Sequence, residues 1–418
     1  MSISYKTPGY FTRFSCLGSE CEDTCCRNWE VKLDREHYDL LGKVTSADEH
    51  EAGIFNQYVR LNENSITSDH DYAFIRMGVN GYCAMLDNNG LCSIHAKYGV
   101  SALGNVCTMF PRIVSRCENT IELSGALSCP EVVRLCISDS TPLKMSRFKP
   151  ADLPRSKNYP IHRELSTIAD DFYSKYFSIV RDHLRNILSD ESEDFETRLY
   201  LLTTYANKIS AFYHRGCSDF SADKISVIYD MLREKKFVSK MNEYIKNFET
   251  DAPISMIVVH SILSIKLQQA EDENISLVYQ KLIQKYLNDD SLSESLAAEL
   301  LAIRESISET NRAHLDKALT RYILNCLHRE WFVSMPDPFT YIQMLLVRIT
   351  ILRTLLYLDI GLNTELNESE LNKKIVFIMY NFARNIDQNL EFLKVVYNAL
   401  SEQTMMTFDF SPAFIRLR

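Results

Sequence analysis

The chain has 418 residues, 46% of them hydrophobic, and carries a formal net charge of -9 with a pI near 5.7. This length exceeds the roughly 250 to 300 residues at which a single core stops growing, so we expect two domains. No run rich in lysine and arginine occurs, which argues against a nucleic-acid-binding surface. The first ten residues lack the apolar stretch of a signal peptide, so we expect the protein in the reducing cytoplasm, where disulfides are rare.

The N-terminal third, residues 1–145, reads as an irregular cysteine-rich module, because it holds ten of the twelve cysteines and ten of the twelve glycines. Residues 29–34 alternate like a short strand, and Asp34 is placed to cap a helix that begins at Arg35. The stretch from Asp87 to Gly90 is typical of a turn. Such a segment buries too little apolar surface to hold itself, and a bound metal is a common remedy.

A linker is predicted at residues 146–161, because four prolines fall between positions 142 and 160. From residue 162 to 418 glycine nearly vanishes and apolar residues recur at helical spacing, for example after Pro253 and after Asn367. The most apolar stretch, 341–362, contains three charged residues and predicts a buried helix rather than a membrane span. The expected fold is therefore mainly α: a metal-binding N-terminal module followed by a multi-helix domain, without a Rossmann sheet.

The cysteines between Cys16 and Cys136 indicate a metal site, since thiolates suit zinc, copper(I) and iron-sulfur clusters. Spacing alone does not choose among them. No C-x2-C pair occurs, which disfavours a common zinc pattern. The radical-type spacing C-x3-C-x2-C fails because its third position is Asn28. Four cysteines in ordinary apolar surroundings are expected to pack without binding metal: Cys117, Cys136, Cys217 and Cys326.

Four blocks of sequence stand out in this part of the chain. They are Phe14-Ser15-Cys16-x-Gly18-Ser19-x-Cys21-Glu22-x-Thr24-Cys25-Cys26-x-x-Trp29, Gly90-x-Cys92-x-Ile94-His95, Cys107-x-x-Phe110-Pro111-Arg112 and Leu123-Ser124-x-x-x-Ser128-Cys129-Pro130-Glu131. Through these blocks the chain resembles the bacterial flagellin lysine N-methylase family. The resemblance implies an S-adenosylmethionine-dependent enzyme of the bacterial cytoplasm that methylates surface lysines of flagellin and holds a [4Fe-4S] cluster.

The resemblance also implies the ligands of that cluster, of which a cubane needs four. We predict two from each half of the module. The vicinal pair at positions 25 and 26 is an awkward double ligand, so one of the two is expected to pack or to serve elsewhere. The preferred four are Cys21, Cys25, Cys92 and Cys107, and the further candidates are Cys16, Cys26, Cys83 and Cys129.

Two residues in the matching blocks are candidates for catalysis. Methyl transfer needs a neutral lysine amine, and deprotonating an ammonium of pKa about 10.4 at pH 7 costs roughly 4 to 5 kcal/mol. Glu131 is a candidate to accept that proton, and a capping role at the helix start is its alternative. Arg112 is a candidate to pair with the carboxylate of the methyl donor. His95 is a possible ligand, although a lone histidine more often packs.

The donor site itself is not identified by the sequence. No G-x-G occurs, so the glycine-rich turn of a Rossmann-type methyltransferase is absent. Two alternatives to an enzyme remain open at this point: a non-enzymatic iron-sulfur protein for electron transfer, and a zinc-stabilised interaction protein.

Overall fold

The computed structural model describes residues 3–27, 31–63, 71–78, 81–138, 144–155, 159–165, 172–214, 220–249, 253–268, 292–361 and 366–417. The chain divides into two compact units. The first unit comprises residues 1–135 and 144–164, and the helical unit comprises residues 136–143 and 165–418. Asn28, Trp29 and Cys217 lie outside the described residues.

The first unit is built on two small sheets rather than on irregular chain. One has five strands in the order β7-β1-β6-β5-β8. Strand β1 pairs parallel with β6 and antiparallel with β7, and β5 and β6 form an antiparallel hairpin. The strands are β1 Ser4–Pro8, β5 Arg112–Cys117, β6 Thr120–Gly125, β7 Met145–Arg147 and β8 Arg163–Leu165.

The second sheet has three antiparallel strands in the order β2-β4-β3. They are β2 Val31–Leu33, β3 Val59–Leu61 and β4 Ala73–Ile75, joined by helices α1 Arg35–Thr45 and α2 Glu49–Tyr58. The predicted cap is confirmed, because Asp34 Oδ1 accepts the amide N–H of His37 at 3.0 Å. The predicted turn is confirmed as well: Gly90 has φ +74°, and Asp87 Oδ1 accepts the amides of Asn89 and Leu91. Three short helices complete the unit, α3 Ser93–Tyr98, α4 Asn105–Met109 and α5 Pro130–Ser138.

The predicted linker, residues 146–161, lies largely inside the first unit, and the boundary between the units differs from the predicted one. Its first residues belong to β7, which pairs with β1. Farther along, Arg155 donates to His37 Nε2 at 2.7 Å and to Thr108 Oγ1 at 3.3 Å. Prolines in this stretch therefore mark turns of a folded domain rather than an extended spacer.

Close packing around Gly125 leads to a stability prediction. A Cβ at this position would lie 2.6 Å from Val132 Cγ1 and 2.7 Å from Phe11 Cε2. We expect Gly125→Ala to lower the free energy of unfolding by about 1–3 kcal/mol. Gly53→Ala is the matched control: it lies within α2 with nothing within 4 Å of the added carbon. Urea titration should show this control unchanged or stabilised by about 0.5–1 kcal/mol; equal effects of the two changes would contradict the packing argument.

The helical unit confirms the mainly α class, and its described residues show no parallel sheet. Its longest helix, Pro338–Gly361, is buried along its whole length except at Thr340 and Gly361. Within the described ranges no helix combines the length and apolarity that crossing a bilayer requires. The α-helices are α6 Phe172–Leu188, α7 Phe195–His214, α8 Ala222–Leu232, α9 Lys235–Lys246, α10 Ile254–Gln268, α11 Leu292–Ser306, α12 Glu309–Arg329, α13 Pro338–Gly361, α14 Glu368–Phe382, α15 Leu390–Glu402 and α16 Ser411–Arg416.

The local signals for these helices hold where the structure describes them. Asn367 caps α14, and Glu370 returns a hydrogen bond to the Asn367 amide, which closes a capping box. The predicted stripe on this helix is buried and runs into a π-helical turn at Ala383–Asp387. Residues 189–194, which are rich in acidic and serine residues, separate α6 from α7.

A cluster of buried charges joins four segments of the helical unit. Burial alone would raise the pKa of Glu196, but the guanidinium groups of Arg353, Arg304 and Arg416 hold it below its usual value. Asp316 on α12 lies near the same arginines, yet burial dominates and raises its pKa from 3.8 to about 6. Near neutral pH the ionised Asp316 carboxylate therefore destabilises the folded protein relative to the unfolded chain.

This destabilisation predicts how stability depends on pH. Because the folded pKa of Asp316 exceeds its unfolded value, the folded state binds more protons between about pH 4 and pH 6, and stability falls as the pH rises through this window. The shift corresponds to at most about 3 kcal/mol. Asp316→Asn should raise the free energy of unfolding at pH 8 by about 1–2 kcal/mol and have little effect at pH 4. Urea unfolding at the two pH values tests this, and equal effects at both would exclude the ionisation of Asp316 as the cause.

Candidate metal centre

Four of the predicted ligands share one hydrophobic core. Cys83 is buried in the core of the three-stranded sheet, and Cys26, Cys92 and Cys107 pack against the same core. We call these four residues the inner group. They come from three separate parts of the sequence, so folding of the first unit is what brings them together.

Short backbone contacts fix the loops that carry the inner group. The amide of Cys83 donates to the carbonyl of Cys26 at 2.8 Å, which joins the two loops directly. A β-bridge pairs Leu86 with Cys92, immediately before α3 begins. Cys107 lies within the short helix α4. The inner thiols are therefore held by main-chain geometry rather than by flexible side chains alone.

A second set of thiols lies around Arg112, and we call Cys16, Cys21 and Cys129 the outer group. Arg112 opens strand β5, and its guanidinium stacks on the Phe14 ring at 5.0 Å from the centroid. The charges of Cys16 and Cys129 act on Arg112 and partly offset the lowering of its pKa by burial. The outer group thus combines two early cysteines with one that directly precedes α5.

Cys25 lies between the two groups. Its thiol is hydrogen-bonded to that of Cys26. Its charge acts on inner thiols and also on Cys21 and Cys129 of the outer group. The two neighbouring cysteines therefore have different surroundings: Cys26 packs against the inner core, while the charge of Cys25 acts on both sets of thiols.

Backbone amides point at several of these sulfur atoms. Cys92 Sγ accepts N–H groups of Ile94 and His95, and Cys129 Sγ accepts those of Glu131 and Val132. Cys83 and Cys21 each have one such amide: that of Met85 donates to Cys83, and that of Asp23 donates to Cys21. N–H donors directed at sulfur stabilise thiolates and tune iron-sulfur clusters.

The thiols nevertheless need a metal to lose their protons. Burial raises the pKa of Cys83 to about 11 and that of Cys129 to about 12, and it moves the pKa of Cys107 still higher. Nearby cysteine thiolates add to each shift. Several thiolates packed together are stable only if a cation compensates their charge, which is the condition that metal binding meets.

The sulfur atoms are not gathered around one point. In the part of the chain that the structure describes, no three cysteine sulfurs lie within 4.8 Å of one another.

The preferred four of the sequence analysis are divided by the structure. Cys92 and Cys107 belong to the inner group, Cys21 belongs to the outer group, and Cys25 lies between them. The sequence reading ranked Cys26 and Cys83 lower, although both share the inner core. The backbone pairing of their loops joins positions far apart in sequence, so no local pattern could reveal it.

The remaining candidates are placed as follows. Glu131 lies in the first turn of α5, where Arg134 donates to its Oε2 and also pairs with Glu22. His95 is exposed on α3. Cys117 and Cys136 are buried, in agreement with a packing role. No disulfide joins the described cysteines.

Cys326 was expected only to pack, and it is buried on α12, but two carboxylates accompany it. Its sulfur and carboxylate oxygens of Glu330 and Asp387 lie within 4.8 Å of one another. Arg329 and Arg348 each pair with both carboxylates, and the Tyr322 hydroxyl donates to Asp387 at 2.7 Å. Two positive and two negative charges balance, so the arrangement is a buried ion-pair network rather than a metal site.

The helical unit also contains a polar cleft where α6 ends and α8 and α9 meet. Its volume is about 860 Å³, within the range of small-molecule sites. Asp190, Glu193 and Glu243 supply negative charge, and three cationic side chains face them across an apolar floor. The cationic residues are Arg198, Arg233 and Lys235, and the floor is made by Ile187, Leu201, Leu232 and Val238.

Together these features define the class: a cysteine-rich candidate metal site in a small mixed unit, followed in sequence by a larger all-helical unit. The profile of the FliB lysine N-methylase C-terminal domain matches residues 181–410, more than half of the chain. The chain therefore belongs to the FliB lysine N-methylase family, as the sequence blocks had indicated.

Curated relatives agree with this assignment. A lysine-N-methylase of Salmonella typhimurium strain LT2 is 30% identical over 144 residues, and one of Salmonella choleraesuis is 29% identical over 144 residues. Each alignment covers 34% of this chain and 35% of the relative, so the match spans about a third of those proteins. The flagellar biosynthetic protein FliU of Salmonella muenchen is 28% identical over 167 residues, which are 38% of this chain and 96% of FliU. No solved structure matches the chain.

Proposed function

We propose that this protein is an S-adenosylmethionine-dependent protein-lysine N-methyltransferase that acts on surface lysines of flagellin and contains a [4Fe-4S] cluster. The observation that carries the proposal is membership of the lysine N-methylase family through residues 181–410. The flagellar name of one relative supports flagellin as the substrate. The two sets of thiols support the cluster.

For the ligands of the cluster we propose the inner group. Cys26, Cys83, Cys92 and Cys107 share one core, and amides already point at two of their sulfurs. When bound there, a cluster would supply an electron-accepting centre and tie the three loops to one another. The loops themselves exclude water from this centre, because Cys83 is 8% exposed and packs on the apolar sheet core.

For contacts with the reactants we propose Arg112 and Glu131. The Arg112 guanidinium is half-buried and suits a carboxylate such as that of the donor's methionine part. Arg134 contacts Oε2 of Glu131, so a lysine proton would have to be accepted at Oε1. Both residues lie near Cys129, and their proposed roles therefore concern the same side of the first unit.

As an alternative location for the donor, which would leave Arg112 without a role in binding it, we propose the polar cleft of the helical unit. S-adenosylmethionine carries a sulfonium, an ammonium and a carboxylate, and the cleft presents charges of both signs. Ser239 lines the cleft on an exposed stretch of α9. Ser239→Trp should weaken binding of S-adenosylhomocysteine at least about tenfold in calorimetry, a loss of about 1.4 kcal/mol. Lys240→Trp, on the next residue outside the cleft lining, is the control; equal losses in both variants would contradict this location.

The decisive test of the function is direct. Anaerobically purified protein is incubated with flagellin and S-adenosylmethionine, and flagellin peptides are analysed by mass spectrometry for lysine shifts of about 14 Da per methyl group. We expect shifts that require both the donor and the protein. Unmodified flagellin in the presence of an intact cluster would refute the enzymatic function and favour the electron-transfer alternative. Zinc in place of iron would instead favour the zinc-stabilised interaction protein.

A further inference from the structure

We propose that the outer group, completed by Cys25, binds a second iron-sulfur cluster, separate from the one assigned to the inner group. The inference rests on the proposed function, because it takes the first cluster to be held by the inner group. It assigns to Cys16, Cys21 and Cys25, together with the buried Cys129, a role that packing does not explain for the first three.

The first argument is that eight candidate thiols are too many for one cubane. One cubane uses four cysteines. The inner core accounts for four, and it does not include Cys16, Cys21 or Cys129. Cys16 and Cys25 are exposed and Cys21 is half-exposed, so burial in an apolar core is not the reason for their presence.

The second argument is that the outer thiols are held together by contacts of their own. Glu22, next to Cys21, pairs with Arg134 of α5, and this ion pair places the Cys21 loop against the helix that Cys129 precedes. A second contact is the stacking of Arg112 on Phe14. The charges of Cys16 and Cys129 act on the Arg112 guanidinium. Two independent contacts therefore bring the early cysteines to the start of α5.

The third argument concerns charge. Four thiolates and a cluster core carry a net negative charge, and cations or N–H donors close by stabilise it. The outer group has such a cation: the Arg112 guanidinium lies 5.0 Å from the centroid of the Phe14 ring, two residues before Cys16. Cys25 follows Cys21 in the same loop and supplies the fourth sulfur.

Metal analysis of the full-length protein, reconstituted anaerobically with iron and sulfide, tests this proposal. The wild type should bind about eight irons per chain, as two four-iron clusters require. Cys16→Ser and Cys129→Ser should each lower the iron and sulfide content about twofold, and so should Cys83→Ser. Cys129→Ser combined with Cys83→Ser should remove nearly all iron. Cys117→Ala, a buried cysteine outside both groups, is the control and should retain full iron content.

The outcomes separate this inference from the proposed function. About four irons in the wild type, lost in Cys83→Ser and retained in Cys16→Ser and Cys129→Ser, would overturn the second cluster and leave the first intact. Zinc bound by the outer group would overturn it as well. A wild type that binds no iron at all would refute the cluster of the proposed function itself. Hydrogen exchange of strands β5 and β6 shows whether the first unit of each variant is folded, so loss of metal is not confused with loss of structure.

Discussion

Replacing Cys83 and Cys107 together by serine should abolish methylation of flagellin, with a loss of at least about a hundredfold in kcat/KM, equivalent to about 2.7 kcal/mol. Both side chains lie in or against the core of the three-stranded sheet. Removing them deletes two of the four ligands that we assign to the cluster, and a site with two thiolates holds a cubane poorly. Quantitative mass spectrometry of flagellin lysines gives the rate.

The same replacement should also destabilise the first unit. Metal binding contributes to folding where the ligands come from separate loops, so the variant should lose protection of residues 81–109 in hydrogen exchange. Cys117→Ala controls for the loss of a buried thiol elsewhere in the unit and should retain both activity and protection. A fully active double variant would show that the inner thiols have no part in the reaction.

Arg348→Met should be among the most destabilising single changes in the helical unit, lowering its free energy of unfolding by about 3–5 kcal/mol. Arg348 pairs with Asp387 and Glu330, and the Asp387 side chain is fully buried. Methionine fills similar volume but leaves Asp387 with the Arg329 cation and the neutral Tyr322 hydroxyl, so the buried charges no longer balance. The midpoint of urea unfolding, followed by circular dichroism, measures the change.

Two further variants test whether unpaired buried charge causes the destabilisation expected for Arg348→Met. Lys317→Met removes an exposed cation from the neighbouring helix in sequence, α12, and should change stability by less than about 0.5 kcal/mol. Combining Arg348→Met with Glu330→Gln restores the charge balance and should recover part of the loss. If the combined variant is less stable than the sum of the single changes predicts, lost packing rather than unpaired charge is the cause.

The sequence predicted local structure well where one residue determines it. Asp34 was correctly interpreted as a helix cap, because a side-chain oxygen at a helix start acts on amides only three residues away. The buried helix around Arg348 was also predictable, since its charges are too many for a lipid-facing span. These features are determined by residues close together in sequence, so they can be predicted from one sequence without knowledge of the fold.

Features that depend on distant pairing were not predictable in the same way. Strands β7 and β8 have three residues each and join a sheet whose other strands lie far earlier in the chain, so the prolines around them were interpreted as a linker. The cysteines could be recognised as a metal site from their density. Their division into inner and outer groups arises from contacts such as Cys26 with Cys83, which only the folded chain reveals.

The two units alternate along the sequence, and this order affects how the first unit folds during synthesis on the ribosome. The first unit is interrupted at residue 135 and resumes at residue 144, so its five-stranded sheet lacks both edge strands, β7 and β8, when residue 135 has been made. The nascent N-terminal segment therefore waits for about thirty further residues before this sheet is complete, whereas domains otherwise tend to fold as units as they emerge. Iron delivered for the proposed cluster before that point would meet an incomplete sheet, so we expect its insertion to follow translation past residue 165.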